Sequence, residues 1–231
     1  MKKILLLSFL FMVLFSCSEI ADMQDRGQVR IIMDQPAQGS SRFLADNGSK
    51  VVIAFLVDSD VYLFEEYDEV STTIDMNGII AGDYVVLALL LDENDDMVGM
   101  ASKDVSIEPG INYIDLTLGP GIWDLKLNNK TIDLTDMPSG YGLIVMEDSL
   151  VLDIPDSEIN KDREVEFTVT FKTNAKTITV DAASGSLNLD LQDVDDYIEA
   201  TLEASEGARS FVLEMTDPVN SKTFTYTISV E

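Results

Sequence analysis

Acidic side chains with alternate spacing are the first candidates for chemistry in this sequence. Asp92, Asn94 and Asp96 occupy every second position, which is the spacing at which the Ca²⁺-binding loop of an EF-hand begins. Met97 stands where that loop requires glycine, and Lys103 stands where it requires a bidentate glutamate. An EF-hand is therefore excluded, while an irregular Ca²⁺ site on this loop remains open.

A second acidic group offers the same two interpretations. Asp193, Asp195 and Asp196 are close enough in sequence to contribute several oxygens to one Ca²⁺ ion. The alternative is that both groups are solvated loops whose carboxylates repel one another. We expect no cofactor, with Ca²⁺ as the one ion that these residues would suit.

Aromatic side chains are candidates for stacking against the faces of sugar rings. Trp123 and Tyr141 are the main ligand-binding candidates in this sequence, and Trp123 is its one tryptophan. Three further aromatic residues could extend such a platform: Tyr62, Phe64 and Tyr67. The alternative for Trp123 is a structural role at the start of a strand, packed either between the domains or in the core.

Catalytic chemistry has few suitable residues in this chain. With no histidine, the chain lacks the most frequent general base and the most frequent metal ligand. Ser139 precedes Gly140, but no histidine can activate it and no strand-turn-helix pattern surrounds it. Among 42 acidic residues some pair will meet the spacing of a glycosidase by chance, so that spacing does not discriminate. We expect that the protein is not an enzyme.

Composition and charge limit the class of protein further. The formal net charge of −27 argues against nucleic acid as a partner, because phosphate binding requires clustered Lys and Arg. The apolar fraction of 46% is sufficient for a packed core, so the acidity does not indicate disorder. A single cysteine excludes an internal disulfide and a thiolate zinc site.

The N-terminus has the pattern of a secretory signal. Lys2 and Lys3 precede an almost unbroken apolar run over residues 4–15. As a helix this run would reach about 18 Å, which is too short for a hydrocarbon core of about 30 Å. We therefore expect a cleaved signal peptide rather than a spanning helix.

The end of this run resembles the lipobox of bacterial lipoprotein precursors, in the sequence Leu14-Phe15-Ser16-Cys17. The resemblance implies a signal peptide over residues 1–16, acylation of Cys17 and a lipidated tether over residues 17–27. Two or more acyl chains anchor a protein stably in a membrane, whereas a single chain does not. Ser18 resembles the residue after the cysteine in lipoproteins passed to an outer membrane, so we expect an outer-membrane or cell-surface location in the bacterial envelope.

The rest of the chain shows the alternation of β-strands rather than helical periodicity. In the first half the pattern predicts strands over residues 28–33, 51–57, 70–74, 83–91, 97–107 and 111–118. In the second half it predicts strands over 123–127, 130–134, 141–154, 165–173, 177–182, 187–191, 197–204, 210–216 and 222–230. The segment 193–206 also fits a helix, but the alternation of its apolar residues favours a strand.

Gly119-Pro120-Gly121 is the predicted boundary between two domains, since no regular element continues easily through it. We predict an all-β protein of two tandem antiparallel β-sandwiches after a lipoprotein signal peptide, with domain 1 over 28–119 and domain 2 over 120–231.

Short phrases in both halves resemble extracytoplasmic modules. Ile79-Ile80-Ala81-Gly82-Asp83-Tyr84-Val85-Val86 and Val105-Ser106-Ile107-Glu108-Pro109-Gly110-Ile111-Asn112 resemble a transthyretin-like or carboxypeptidase-regulatory-like β-sandwich. The end of the chain, Thr223-Phe224-Thr225-Tyr226-Thr227-Ile228-Ser229-Val230, is similar to cadherin-like or Ig-like domains. These resemblances imply a fold and no catalytic residues.

The sequence therefore predicts a lipid-anchored envelope or surface protein with a non-catalytic binding or structural role. Its expected partners are the membrane, through the lipid, and a protein or glycan of unspecified identity. Two alternatives remain open: a glycan- or nutrient-binding lipoprotein that serves a transport system, and a Ca²⁺-stabilised adhesin module.

Overall fold

A computed structural model describes residues 25–34, 48–58, 60–132, 139–194, 197–216 and 222–230. The first half contains strands β1 Arg26–Asp34, β2 Lys50–Val57, β3 Asp60–Tyr67, β4 Thr73–Ile80, β5 Gly82–Leu91, β6 Met97–Ile107, β7 Gly110–Thr117 and β8 Gly119–Pro120. The second half contains β9 Ile122–Leu127, β10 Lys130–Thr131, β11 Gly142–Met146, β12 Ser149–Ile154, β13 Phe167–Thr173, β14 Thr177–Ala182, β15 Ser186–Val194, β16 Tyr197–Ser205, β17 Ser210–Thr216 and β18 Thr223–Val230. The predicted all-β fold is confirmed.

Each half is built from two sheets. The first half has a three-stranded sheet in the order β4-β1-β7 and a five-stranded sheet in the order β3-β2-β5-β6-β8. The second half has two five-stranded sheets, β10-β9-β13-β16-β15 and β11-β12-β18-β17-β14. Neighbouring strands are antiparallel except in two pairs, β1 with β7 and β12 with β18, which are parallel. No helix in the described ranges is long and apolar enough to cross a membrane.

Alternation along the strands places the apolar side chains between the sheets. In β7, Ile114 and Leu116 are each 2% exposed, while Ile111 is 62% and Tyr113 is 63% exposed on the opposite face. In the second half the rings of Phe167 and Phe211 stack with their centroids 6.1 Å apart. The alternation of buried and exposed residues along β7 has the period of two that is expected for a β-strand.

Several predicted strands differ from the observed ones. The segment 141–154 is a hairpin rather than one strand, because Asp148, at a φ of 51°, turns the chain between β11 and β12. Strand β3 was not predicted, since Glu65 and Glu66 interrupt its apolar residues. The predicted strand 70–74 covers only the start of β4. Segment 193–206 forms the end of β15 and all of β16, so the prediction of strand over helix is confirmed for its described residues.

The two halves are joined without a break in extended chain. Gly119 and Pro120 pair with β6 of the first half, and β9 begins at Ile122 in a sheet of the second half. A Cβ on Gly121 would lie 1.9 Å from the carbonyl oxygen of Met97, so only glycine fits there. The glycines of this segment thus allow close packing of backbones rather than a loose connection, and the division into two domains remains a prediction.

Buried hydrogen bonds hold the junction together. Asn174 accepts a hydrogen bond from the Gly121 amide at 3.0 Å and donates one to the Val98 carbonyl at 2.8 Å. Val98 is the extra residue of a bulge in β6, which leaves its carbonyl free for Asn174. The Tyr226 hydroxyl donates to the Pro120 carbonyl at 2.9 Å, and burial raises the pKa of that hydroxyl well above its usual range.

One sheet of the first half serves both hydrophobic cores. On β5, Tyr84, Val86 and Leu90 face the core of the first half, while Leu87 and Leu89 pack against the core of the second half. An apolar run on both faces is typical of a strand covered on both sides. The face of this sheet that is turned towards the second half forms the candidate site.

Candidate binding cleft

A cleft of about 950 Å³ lies between the five-stranded sheet of the first half and strands β9, β11 and β12 of the second. Its apolar lining consists of Val52, Phe64, Leu87, Leu89, Leu91, Met97, Met100, Ile122, Trp123, Leu125, Ile132, Leu143, Val145 and Leu150. Its polar lining consists of Lys50, Glu66, Asn94, Asp95, Asp96, Asp124, Thr131 and Lys172. This volume and this composition are typical of small-molecule sites in proteins.

The apolar floor of the cleft comes from alternate residues of one strand. Leu87, Leu89 and Leu91 follow one another along β5 at every second position, so their side chains form a row of about 14 Å. Leu143 and Val145 of β11 also line the cleft. The three leucines are only partly buried, so apolar surface remains accessible inside the cleft.

Charged side chains gather where the hairpin between β5 and β6 meets β9 and β13. The Lys50 ammonium lies 2.9 Å from an oxygen of Asp95 and 3.8 Å from one of Glu66. The Asp124 carboxylate lies 2.7 Å from the Lys126 ammonium and 3.2 Å from that of Lys172. The hydrogen bond from Lys126, together with the one from Lys172, holds the pKa of Asp124 below its usual range.

Asp96 differs from the other carboxylates of the cleft. Its backbone amide donates to Asp92 Oδ1 at 3.0 Å, but within the described ranges its carboxylate makes no ion pair. Burial, and after it the negative charges of Asp92 and Asp124, raise the pKa of Asp96, and Lys172 opposes this shift. The carboxylate is therefore half-buried without an ion-pair contact in the described ranges, and the charge of Lys172 only partly offsets this unfavourable position.

Trp123 is half-buried in the wall of the cleft. Its ring meets that of Tyr197 edge-on, with the centroids 6.1 Å apart. Lys172, whose backbone is paired with that of Trp123, places its ammonium 5.4 Å from the centre of the Tyr197 ring. These contacts fix the aromatic wall beside the charged end of the cleft.

Residues that were predicted to belong to two separate candidate sites lie together in the structure. Asn94 and Asp96 of the acidic loop and Trp123 of the aromatic set line the same cleft. Asp92 instead closes the hairpin, because its Oδ1 accepts the Asn94 and Asp96 amides at 2.7 and 3.0 Å. Tyr141 does not line the cleft; it packs against the second core, where burial raises the pKa of its hydroxyl.

The other aromatic candidates are dispersed. Phe64, 52% exposed, lines the cleft. The Tyr62 ring packs on Tyr84 with the centroids 5.3 Å apart. The Tyr67 hydroxyl donates a hydrogen bond to the Glu65 carboxylate at 2.6 Å, and burial raises the pKa of this hydroxyl. Of the five aromatic candidates, Trp123 and Phe64 line the cleft and the other three do not, and stacking against sugar rings remains a prediction.

The metal-binding candidates gain no shared site in the described part of the chain. Asp193 is exposed on β15, far along the chain from the cleft hairpin. Cys17, Asp195 and Asp196 lie outside the described residues. In the ranges that the structure describes, no three His, Cys, Asp or Glu side chains are grouped to hold a metal ion. The predicted lipidation and Ca²⁺ binding remain predictions.

Sequence reasoning missed the leucine row and the two lysines of the cleft. The run Val85-Val86-Leu87-Ala88-Leu89-Leu90-Leu91 is apolar on both faces, which indicates a strand with two covered faces. No local sequence pattern indicated the cleft lysines, because their ion-pair partners are distant in sequence: Lys50 pairs with Asp95 and Lys172 with Asp124, about 45 to 50 residues away.

A second depression, of about 900 Å³, surrounds the 3-10 turn Asp156–Glu158. Its polar groups largely bind one another: Asn128 Nδ2 donates to the Glu158 carbonyl at 2.8 Å, and the Lys130 ammonium lies 2.6 Å from the Glu158 carboxylate. Because these groups already have partners, this depression is the weaker candidate.

Comparison with known proteins gives weak structural likenesses. The extracellular portion of mouse CD200RLa aligns over 89% of this chain and 98% of its own, at 8% identity and a TM-score of 0.25. Candidate polysaccharide-binding proteins (DUF1812) from Bacteroides thetaiotaomicron align over 86% and 78%, at 9% identity and a TM-score of 0.28. An endo-fucoidan hydrolase of glycoside hydrolase family 107 aligns over 90% of this chain and 29% of its own, at 15% identity and a TM-score of 0.21. No family model and no curated protein matches the chain, and likenesses at these TM-scores carry no argument about function.

Proposed function

We propose that this chain is a lipid-anchored protein of the bacterial cell envelope with a non-catalytic binding role, and that the cleft is its binding site. The cleft carries the proposal: about 950 Å³ of concave surface combines an apolar floor, the half-buried Trp123 and a charged rim. A large apolar pocket with a few convergent polar groups is the usual form of a ligand site. The lipobox-like Leu14-Phe15-Ser16-Cys17 supports the anchor.

The binding role has a built-in reporter, because Trp123 is the one tryptophan of the chain. Titration of envelope extracts, fractionated into glycans, peptides and lipids, should shift the Trp123 emission saturably with at least one fraction. The matched control is Trp123→Phe with Tyr197→Trp, which moves the reporter to position 197, outside the cleft lining, while keeping two aromatic rings. A Trp123 emission that no fraction changes would refute binding at this cleft.

The anchor is tested separately, on the full precursor in its host. Metabolic labelling with palmitate should mark the protein, and Cys17→Ala should abolish the label and release the protein from the membrane fraction. Ser18→Ala, one residue further on, is the matched control and should keep both. Mass spectrometry that finds an unmodified chain retaining residues 1–16 would contradict the anchor.

Glycan binding is the second candidate, and the placement of Trp123 and Phe64 along one cleft favours it. Aromatic faces bind sugar rings through apolar contact. A glycan array should then give saturable binding that Phe64→Ala weakens, since the Phe64 ring is 52% exposed and its loss leaves the core intact. Tyr113→Ala, at a similarly exposed site outside the cleft, is the control. An array without any binding would remove this candidate.

A further inference from the structure

The floor of the cleft restricts which ligands can enter it deeply. Leu87, Leu89 and Leu91 offer neither donors nor acceptors along a row of about 14 Å. Burying a hydroxyl without a partner costs about 1–3 kcal/mol, so a sugar with several hydroxyls would be disfavoured on this floor. An aliphatic chain loses nothing there and gains from leaving water.

The charged end of the cleft favours a positive group. Four carboxylates and two lysines line it, which gives a net charge of −2. Lys50 is engaged by Asp95 and Glu66, and Lys172 by Asp124. The Asp96 carboxylate makes no ion pair within the described ranges although Asp96 is half-buried, and the Lys172 charge acts on it only from beyond ion-pair distance.

An aromatic ring stands at the same end. Lys172 influences Asp96 electrostatically and is paired through its backbone with Trp123, so these three residues border one region of the cleft. A carboxylate and an indole together are suited to an ammonium group, which can pair with the first and lie over the face of the second. A phosphate or sulfate head would instead meet an excess of negative charge.

We propose that the cleft binds an amphipathic cation, with its aliphatic chain along Leu87, Leu89 and Leu91 and its ammonium head at Asp96 and Trp123. This assignment rests on the proposed binding role of the cleft and specifies its ligand class. Three independent features support it: the apolar row, a half-buried carboxylate that makes no ion pair in the described ranges, and the aromatic wall.

The experiment compares three surfactants with the same twelve-carbon chain, each below its micelle concentration in 150 mM salt. The probes are dodecyltrimethylammonium, dodecyl maltoside and dodecyl sulfate, and the readouts are Trp123 emission and calorimetric stoichiometry. We expect one molecule of the cation to bind, about tenfold more tightly than the uncharged maltoside, because its head gains Coulombic attraction to Asp96 and cation–π attraction to Trp123. The sulfate should bind more weakly than the maltoside.

General attraction of a cation to a chain of charge −27 is controlled by a pair of variants. Asp96→Asn and Asp181→Asn each remove one negative charge, and Asp181 is exposed on β14 outside the cleft. Asp96→Asn should weaken dodecyltrimethylammonium binding about tenfold and leave the affinity for dodecyl maltoside unchanged. Asp181→Asn should change either affinity by much less than tenfold. An equal effect of both variants would overturn the assignment of the head group.

Chain length tests the leucine row. Shortening dodecyltrimethylammonium to the decyl compound removes two methylenes and should weaken binding about fifteenfold. Equal affinity of the two chain lengths would overturn the placement of the tail. If Trp123 responds saturably to a glycan but to none of the three surfactants, the amphipathic ligand is wrong and the binding role stands. If Trp123 responds to no ligand at all, both are wrong.

Discussion

Replacing Asn174 by alanine tests how the two halves are held together. The side chain satisfies two buried backbone groups, the Gly121 amide at 3.0 Å and the Val98 carbonyl at 2.8 Å. Leaving a buried polar group without a partner costs about 1–3 kcal/mol, so two such groups cost about 2–6 kcal/mol. Asn174 is 9% exposed, so a water molecule that reaches the site would recover part of this lost free energy. We therefore expect Asn174→Ala to lower the free energy of unfolding by about 3 kcal/mol.

The measurement is guanidinium unfolding followed by both Trp123 fluorescence and far-UV circular dichroism. Guanidinium unfolding should show the loss of about 3 kcal/mol directly. In a thermal scan the same loss should lower the Tm by roughly 6–12 °C for a chain of this size. Asn188→Ala, at an exposed position on β15, is the matched control and should change the free energy of unfolding by less than about 0.5 kcal/mol.

Asn174→Asp refines the test because it keeps the acceptor for Gly121 while placing an oxygen against the Val98 carbonyl. It should destabilise the protein at least as much as Asn174→Ala at neutral pH, since it buries an unpaired charge. If Asn174→Ala and Asn188→Ala had equal effects, the bridging role of Asn174 would be refuted. If the fluorescence and dichroism transitions of Asn174→Ala no longer coincide, the two halves need the Asn174 hydrogen bonds in order to unfold as one unit.

Four further predictions concern the cleft and the junction. Asp96→Asn should raise the Tm at pH 7, because burial in the folded state raises the pKa of Asp96 and so disfavours its charged form. The gain should disappear below about pH 4, where the carboxyl is protonated in both the folded and the unfolded state, and thermal scans across pH would measure it. Gly121→Ala should cost at least about 3 kcal/mol in denaturant unfolding, since its Cβ would lie 1.9 Å from a backbone oxygen. Tyr226→Phe, measured likewise, should cost about 1–2 kcal/mol through the orphaned Pro120 carbonyl. Excess EDTA should leave the Tm unchanged, because Asp92 already binds two backbone amides; a decrease of several degrees would indicate a Ca²⁺ site.

Strand alternation carried most of the information about the fold. Phe167, Val169 and Phe171 repeat every second residue, and all three are buried in β13 as their spacing predicts. The same rule favoured a strand over a helix at Ala200, Leu202 and Ala204, which are buried in β16. A period of two depends only on local backbone geometry, so a sequence pattern can reveal it.

The cleft could not be predicted in the same way, because its walls come from distant parts of the chain. Leu87 and Leu89 look like ordinary strand residues until the element that covers them is known. Lys50 and Asp95 pair across a sheet register that no local pattern encodes. Asn174 reads as a turn residue in sequence, whereas its buried amide joins backbone groups 53 and 76 residues away.

The close fit at Gly121 also affects the energetics of any ligand in the cleft. The cleft walls belong to two halves, and at Gly121 the backbone of their connection packs so closely on β6 that a methyl group has no room. If this packing holds the walls in place before a ligand enters, the proposed binding would cost less ordering entropy and would discriminate among ligands by shape.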